Sequence, residues 1–164
     1  MARTAAALIV LFLLDLGYAG QGLSSIFVAL CGVVWLAIGA LRSAFRGEAS
    51  RARMRALRAT LYLALGIAAY GTASFHRSTA ETHAARVIDA CRAFQARRGA
   101  LPNRLDDLVP EFLTAVPRAK FTLAYGEFTY STRDEHRHTL MYVTLPPFGR
   151  RVYHFEGARW SQLD

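Results

Sequence analysis

The pattern of apolar and polar residues along the sequence changes near residue 75. Before that point, apolar residues dominate three segments, 4–20, 23–41 and 57–75, which are separated by Gly20-Gln21-Gly22 and by a basic stretch, 42–56. As helices, the second and third segments would each be roughly 28 Å long, which matches the hydrocarbon core of a bilayer. We therefore predict a membrane region in residues 1–75 with about three transmembrane helices.

The basic stretch predicts the orientation of this region. Short loops that are rich in Arg stay on the cytoplasmic side of a membrane, so we expect a cytoplasmic loop at 42–56 and a C-terminal region outside the cytoplasm. A second interpretation stays open for residues 1–19, because Arg3, the apolar run 5–14 and the small residues Gly17 and Ala19 also fit a cleaved signal peptide. Both interpretations place residues 76–164 on the same side.

A single long helix is predicted from residue 57 to residue 98. The sequence has no Pro in this range, and Gly99 is the first strong helix terminator. From Ser78 onward the pattern becomes amphipathic, which indicates that the helix leaves the membrane and packs one face on a core. The predicted apolar face contains Ala84, Val87, Ile88, Cys91 and Phe94, and the polar face contains Arg86, Asp89, Arg92 and Arg97.

The remaining residues predict a short helix and a small sheet. Asn103 is the expected N-cap of the short helix, Asp106 and Asp107 suit its N-terminal dipole, and Pro110 closes it. After Pro117 the apolar period falls to two, which predicts three antiparallel strands near 128–130, 141–145 and 152–155, joined at 132–138 and 146–149. The predicted fold class is α+β, with membrane helices followed by a long helix on an antiparallel β-meander.

Two motifs in this region carry a family resemblance. The long helix is followed by GALPNRLDDLVPEFLTAVP (Gly99–Pro117) and then by EFTYST (Glu127–Thr132). Residues 57–164 resemble the C-terminal domain of type IV pilins and type II secretion pseudopilins, and are most similar to the major pseudopilin. The resemblance implies a pilin-like periplasmic domain at the bacterial inner membrane, which acts by protein contact in a secretion, pilus or envelope assembly. A membrane sensor or ligand-binding protein is the alternative.

The sequence also departs from those families. Their members begin with a basic leader that is cut after Gly and carry an acidic residue at the fifth mature position. No such leader precedes Ala59, and 57–75 contains no carboxylate. The acidic spacing of the major pseudopilins' calcium loop is absent as well. We therefore expect a fixed membrane tether rather than a filament subunit.

The formal net charge of +8 narrows the expected partners. Most of the excess comes from Arg residues between 42 and 58, which suit anionic lipid headgroups. No basic stripe interleaved with aromatic residues is present after residue 75, so we expect no nucleic-acid partner. The expected partners are membrane lipids, envelope or secretion-system proteins and, as a further candidate, a second copy of the chain.

No reaction is predicted. The sequence contains no Gly-x-Ser-x-Gly, His-Glu-x-x-His or phosphate-binding glycine loop, so we expect no enzyme and assign no catalytic, cofactor-binding or metal-binding residue. His136 and His138, preceded by Asp134 and Glu135, have metal-ligand residue types. Their expected position in an exposed hairpin favours a solvated turn over a zinc or copper site.

Three further positions have two interpretations each. Asp15 lies within an apolar segment. One interpretation is that its carboxylate is paired locally or reaches interfacial water, and the other is a relay or coupling role. Cys91 is expected to be a buried apolar side chain rather than a reactive thiol, and a disulfide with Cys31 is not expected. Trp160 is expected at the rim of the sheet, although with Arg150, Arg151 and Phe148 it is also a candidate contact residue.

Overall fold

A computed structural model describes residues 2–19, 22–132, 137–145 and 149–163. Residues 133–136, which include the predicted Asp134, Glu135 and His136, and residues 146–148 lie outside the described ranges. The chain divides into two compact units, Met1–Ser74 and Phe75–Asp164, which we call the N-terminal and C-terminal units. The helical elements are α1 (Ala2–Phe12) with a π-helical continuation (Leu13–Ala19), α2 (Leu23–Phe45), α3 (Ala49–Arg98) and a short 3-10 helix (Leu105–Leu108). The strands are β1 (Thr129–Thr132), β2 (His138–Leu145), β3 (Gly149–His154) and β4 (Arg159–Leu163).

Small residues allow close helix packing in the N-terminal unit. A Cβ atom added at Gly32 of α2 would lie 2.2 Å from Cδ1 of Tyr62 on α3, so the ring occupies the space that a side chain would need. Gly66 of α3 similarly meets the Cβ atom of Ala29, at 3.2 Å. Such close approaches are typical of helix pairs in membranes, where packing replaces the hydrophobic effect as the driving force.

The predicted cytoplasmic loop 42–56 is mostly helical. Helix α2 continues to Phe45 and α3 begins at Ala49, so only residues 46–48 connect them. Arg is a good helix former and no Pro interrupts this stretch, which explains the extra helical turns. Arg55 donates a hydrogen bond to the carbonyl oxygen of Gly39 (2.6 Å) and another to the hydroxyl of Ser43, and so links α3 to the C-terminal part of α2.

One of the three predicted spans is matched by a helix of suitable length. Among the described residues, α2 is the only helix long and apolar enough to cross a bilayer, with 23 residues and a mean hydropathy of 2.2 over its most apolar window. The helix at Thr4–Tyr18 is apolar but shorter. Residues 57–75 belong to the 50-residue α3, which does not reach the same apolarity. The length and composition of α2 are consistent with a membrane anchor.

Asp15 pairs locally. Its carboxylate accepts a hydrogen bond from the backbone N–H of Ser25, at 2.8 Å. Gly22, the residue that precedes α2, has no side chain with which to cap the first turn, so Asp15 supplies the missing acceptor and a negative charge at the positive end of the helix. Of the two interpretations of Asp15, the structure supports local pairing.

The C-terminal unit confirms the predicted α+β class, with a long helix on an antiparallel sheet. The part of α3 that belongs to this unit packs Val87, Ile88 and Cys91 into the core, and the helix ends before Gly99, whose φ of 81° suits glycine. The sheet has the order β1-β2-β3-β4, with all neighbours antiparallel. The other buried members of this core are Ala80, Ala84, Ala90, Leu105, Leu108, Ala119, Leu140, Tyr142 and Tyr153.

Two details of the sequence prediction are wrong. The sheet has a fourth strand, β4, whose residues are mostly polar and exposed and do not alternate between apolar and polar. Its strand conformation follows from pairing with β3, in which Tyr153 lies opposite Trp160. The N-cap of the short helix is Arg104 rather than Asn103. The carboxylate of Asp107 accepts a hydrogen bond from the backbone N–H of Arg104, at 2.9 Å, and this contact fixes where the helix begins.

Candidate partner-binding groove

A groove of about 440 Å³ lies between α3 and the last two strands of the C-terminal unit. Its helix side consists of residues at positions i, i+4, i+7, i+8 and i+11, which share one face of α3. Its other side consists of residues from the face of β3 and β4 that looks toward the helix, together with one residue of the turn that joins them. The lining residues are Glu81, Ala85, Ile88, Asp89 and Arg92 from the helix, Arg151, Tyr153 and Trp160 from the strands, and Ala158 from the turn.

Two arginine–aromatic pairs organise this groove. The guanidinium carbon of Arg151 lies 4.9 Å from the ring centroid of Trp160, and Arg151 also donates a hydrogen bond to a carboxylate oxygen of Glu81, at 2.7 Å. Arg92 donates a hydrogen bond to the hydroxyl of Tyr153, and its guanidinium carbon lies 5.9 Å from that ring centroid. Each guanidinium is thereby held over an aromatic ring, which fixes the direction of its remaining donors.

The register of β3 and β4 brings these groups together. Tyr153 pairs with Trp160 and Arg151 pairs with Gln162, so alternate residues of both strands face α3. Tyr142 lies beside Trp160 on the same face, with ring centroids 5.9 Å apart. Burial raises the pKa of Tyr142, and the neighbouring Arg151 opposes this shift without cancelling it.

The groove is suited to binding. Trp160 keeps 37% of its surface exposed, and the helix edge presents exposed carboxylates at Glu81 and Asp89 beside the exposed Arg92. Such a surface offers the exposed part of Trp160 and charged groups of both signs. It can therefore recognise a partner by apolar contact and by charge-assisted hydrogen bonds.

The predicted contact residues are only partly in this groove. Trp160 and Arg151 lie together there, whereas Arg150 lies on the opposite face of the sheet, where it pairs with Leu163. Phe148 lies outside the described residues. The sequence prediction missed Glu81, Asp89 and Tyr153 as site residues, although the four-residue spacing of Glu81, Ala85 and Asp89 marks one helix face.

His138 does not lie in a solvated turn. It is the first residue of β2 and is buried, and its Nδ1 atom lies 3.0 Å from Oε1 of Glu156. The same carboxylate oxygen accepts a hydrogen bond from the backbone N–H of His138, at 2.6 Å. Within the described ranges, no three His, Cys, Asp or Glu residues are grouped so that they could hold a metal ion.

Cys91 is a buried apolar side chain, as predicted. It is fully buried in the core of the C-terminal unit, and burial raises the pKa of its thiol to about 12. A thiol with this pKa carries almost no thiolate at neutral pH and is a poor nucleophile. Cys31 and Cys91 are both free.

A buried lysine and a nearby buried histidine were not predicted from the sequence. Lys120 is 2% exposed, and its ammonium donates a hydrogen bond to the carbonyl oxygen of Thr144, at 3.0 Å. Burial lowers the pKa of Lys120 to about 8, and the charge of Arg77 adds to the shift. His76 is also buried, its Nδ1 atom has no hydrogen-bond partner among the described residues, and burial and Lys120 lower its pKa. The period-two alternation around Lys120 would place it on the polar, exposed face, so the sequence pattern indicates the opposite of its observed burial.

No protein-family model, curated protein or solved structure matches this chain. The resemblance to pilins therefore remains a prediction from the motifs in residues 99–132.

Proposed function

We propose that this chain is a bacterial inner-membrane protein whose C-terminal unit is a pilin-like periplasmic module that acts by protein contact in a secretion, pilus or envelope assembly. Helix α2 supports a membrane anchor by its length and composition. The proposal includes residues 4–20 and 57–75 as further spans, with the connection at 46–48 in the cytoplasm. It assigns no reaction to the protein.

The arginine–aromatic groove is the observation that supports protein contact best. Trp, Tyr and Arg are the residue types that dominate the binding energy of protein interfaces, and here they lie side by side on one face. Trp160 still has exposed surface for a partner to bury. The charged rim formed by Glu81, Asp89 and Arg92 would confer specificity and orientation.

Site-specific photo-crosslinking tests this proposal. A photoreactive phenylalanine analogue at Trp160, in the full chain within native membranes, should form an adduct with a protein of an envelope or secretion assembly. The same analogue at Leu163 is the matched control, because Leu163 lies on β4 but on the opposite face of the sheet. Equal adducts from both positions, or none from Trp160, would contradict a partner in the groove.

Charge reversal gives a second test with a control of equal charge change. Arg151→Glu would place a carboxylate beside Glu81 and remove the cation over the aromatic ring at position 160, so we expect recovery of the crosslinked partner to fall about 30-fold, the effect of a typical 2 kcal/mol interface hot spot. Arg150→Glu changes the charge by the same amount on the other face. We expect that variant to keep the partner.

A ligand-binding or sensory function is the second candidate. The groove volume of about 440 Å³ lies within the range of small-molecule sites. Native mass spectrometry of the full chain, purified in a mild detergent, would detect a retained small molecule. A molecule that is retained by the wild type and lost in Trp160→Ala would favour this candidate over protein contact.

A further inference from the structure

The loop formed by residues 118–126 has an inverted distribution of polar and apolar side chains. Lys120 and Thr122 are 2% and 3% exposed. The apolar residues between and after them, Phe121, Leu123 and Tyr125, are 61%, 84% and 44% exposed. Three large apolar side chains at alternate positions are thus exposed, while the charged and polar side chains that alternate with them are buried. This is the reverse of what is usual for a surface in water.

Internal hydrogen bonds hold the loop in this conformation. The guanidinium of Arg118 donates to the carbonyl oxygen of Thr122 (3.1 Å), and the backbone N–H of Lys120 donates to the carbonyl oxygen of Gly126 (3.1 Å). The Thr122 hydroxyl donates to the carbonyl oxygen of Ala124, at 2.7 Å. A Cβ atom added at Gly126 would lie 2.8 Å from the Thr122 carbonyl oxygen, so the backbone closes tightly there. The apolar side chains are therefore held outward by a folded loop.

Contacts with α3 place this loop at the first turns of the C-terminal unit. The Nδ1 atom of His83 lies 2.6 Å from the carbonyl oxygen of Arg118, and the rings of His83 and Phe121 are 6.2 Å apart. Arg77 is close enough to Lys120 to affect its pKa. The residues that immediately precede these turns in the sequence are the apolar segment 57–75, which ends at the exposed Phe75.

We propose that the 118–126 loop docks on an anionic phospholipid bilayer and inserts Phe121, Leu123 and Tyr125 at the boundary between headgroups and acyl chains. This environment suits the loop, because aromatic and aliphatic side chains favour the acyl boundary while the cations Arg77 and Arg118 favour anionic headgroups. The loop would thereby give the C-terminal unit a second attachment to the membrane. The inference rests on the membrane anchor of the proposed function.

Depth-dependent fluorescence quenching tests this docking. The full chain with Cys31→Ser and Leu123→Cys is labelled with the environment-sensitive dye NBD and reconstituted into vesicles of phosphatidylethanolamine and phosphatidylglycerol. Cys91 is buried with a raised thiol pKa and should stay unlabelled. We expect nitroxide-bearing phospholipids to quench the label at position 123 several-fold more strongly than the same label at Ala100→Cys, an exposed position beyond the end of α3. Tyr125→Cys should behave like Leu123→Cys.

The other outcomes overturn the proposal and separate it from the question of the anchor. A label at 123 that is quenched by aqueous iodide as strongly as the label at 100, and not by the nitroxide lipids, shows that the loop lies in water. A label protected from both quenchers shows that protein covers the loop, either a second copy or another partner. The same label at Leu41→Cys, an exposed position near the C-terminal end of α2, reports on the anchor in the Cys31→Ser background. If this label is quenched by lipid while the loop label is not, the anchor stands and the loop proposal alone fails.

Discussion

Replacement of the buried Lys120 by Met should stabilise the C-terminal unit at neutral pH. The ammonium is buried among other basic groups, with Arg77 and His76 near it, and its hydrogen bond to the Thr144 carbonyl oxygen compensates only part of the lost hydration. Met has a similar length and no charge, so it can fill the same space. The difference between the two proteins should depend strongly on pH.

The pKa of Lys120 gives the size and direction of that dependence. Folding lowers the pKa from 10.5 to about 8, so between these values the unfolded chain binds more protons and stability rises with pH. Below about pH 8 the buried Lys120 is charged and lowers the free energy of unfolding by its full amount. At 1.36 kcal/mol per pKa unit, this penalty is about 3 kcal/mol. Between about pH 7 and about pH 9.5 the wild type should recover about 2 kcal/mol of this penalty.

Tryptophan fluorescence can follow this unit alone. The chain has two Trp residues, so Trp35→Phe leaves Trp160 as the sole reporter, in the C-terminal unit. Urea unfolding of the full chain in detergent would give the free energy of unfolding, with and without Lys120→Met, at several pH values. Tyr130 and Tyr142, whose pKa values are raised by burial, titrate in both proteins and cancel in the difference.

We expect the stability advantage of Lys120→Met to shrink by about 2 kcal/mol from about pH 7 to about pH 9.5. An advantage that stays constant over this range would refute this expectation, because a constant difference means that Lys120 titrates alike in the folded and unfolded states. A variant that is less stable than the wild type at every pH would show that the hydrogen bond to Thr144 outweighs the burial of the charge.

Three further outcomes are expected from the packing. Gly32→Val should disrupt the N-terminal unit, because its first side-chain atom would overlap the Tyr62 ring, and limited proteolysis should then cut the chain faster than the wild type. Asp15→Ala should cost about 1 kcal/mol of helix stability through the lost cap of α2, measurable as a lower Tm by circular dichroism in detergent, whereas an unchanged Tm would argue against the cap. Maleimide should leave Cys91 unreacted until the protein is denatured, and rapid labelling of Cys91 in the folded protein would contradict its burial.

Elements with a strong periodic signal could be predicted from the sequence. Helix α3 and its buried face follow from a 3.6-residue apolar period that ends at Gly99, and β2 and β3 follow from alternation. Strand β4 could not be predicted because its residues are mostly polar and exposed, and only its pairing partner makes it a strand. The helical conformation of most of 42–56 was missed because charge patterns indicate membrane topology and not backbone conformation.

The groove could be predicted less well from the sequence than the core, because its contacts depend on how distant segments of the chain pair. Trp160 and Arg151 are conspicuous residue types, but their contact depends on the register of β3 and β4. No local pattern marks Tyr153 as a groove residue, or marks Glu81 as the hydrogen-bond partner of Arg151. Contacts of this kind join residues that are about 70 positions apart, so no local pattern contains them.

The two proposals together restrict the kind of partner that can fill the groove. With the 118–126 loop on a bilayer, the first turn of the C-terminal unit lies at the membrane surface. At 1.5 Å per residue, Glu81 then lies roughly 9 Å and Arg92 roughly 26 Å along the helix from Phe75. A partner that contacts the groove along its length must therefore approach within about two helical turns of the lipid headgroups. That geometry favours a partner that is itself attached to the membrane, another copy of this chain included, over one that diffuses freely in the periplasm.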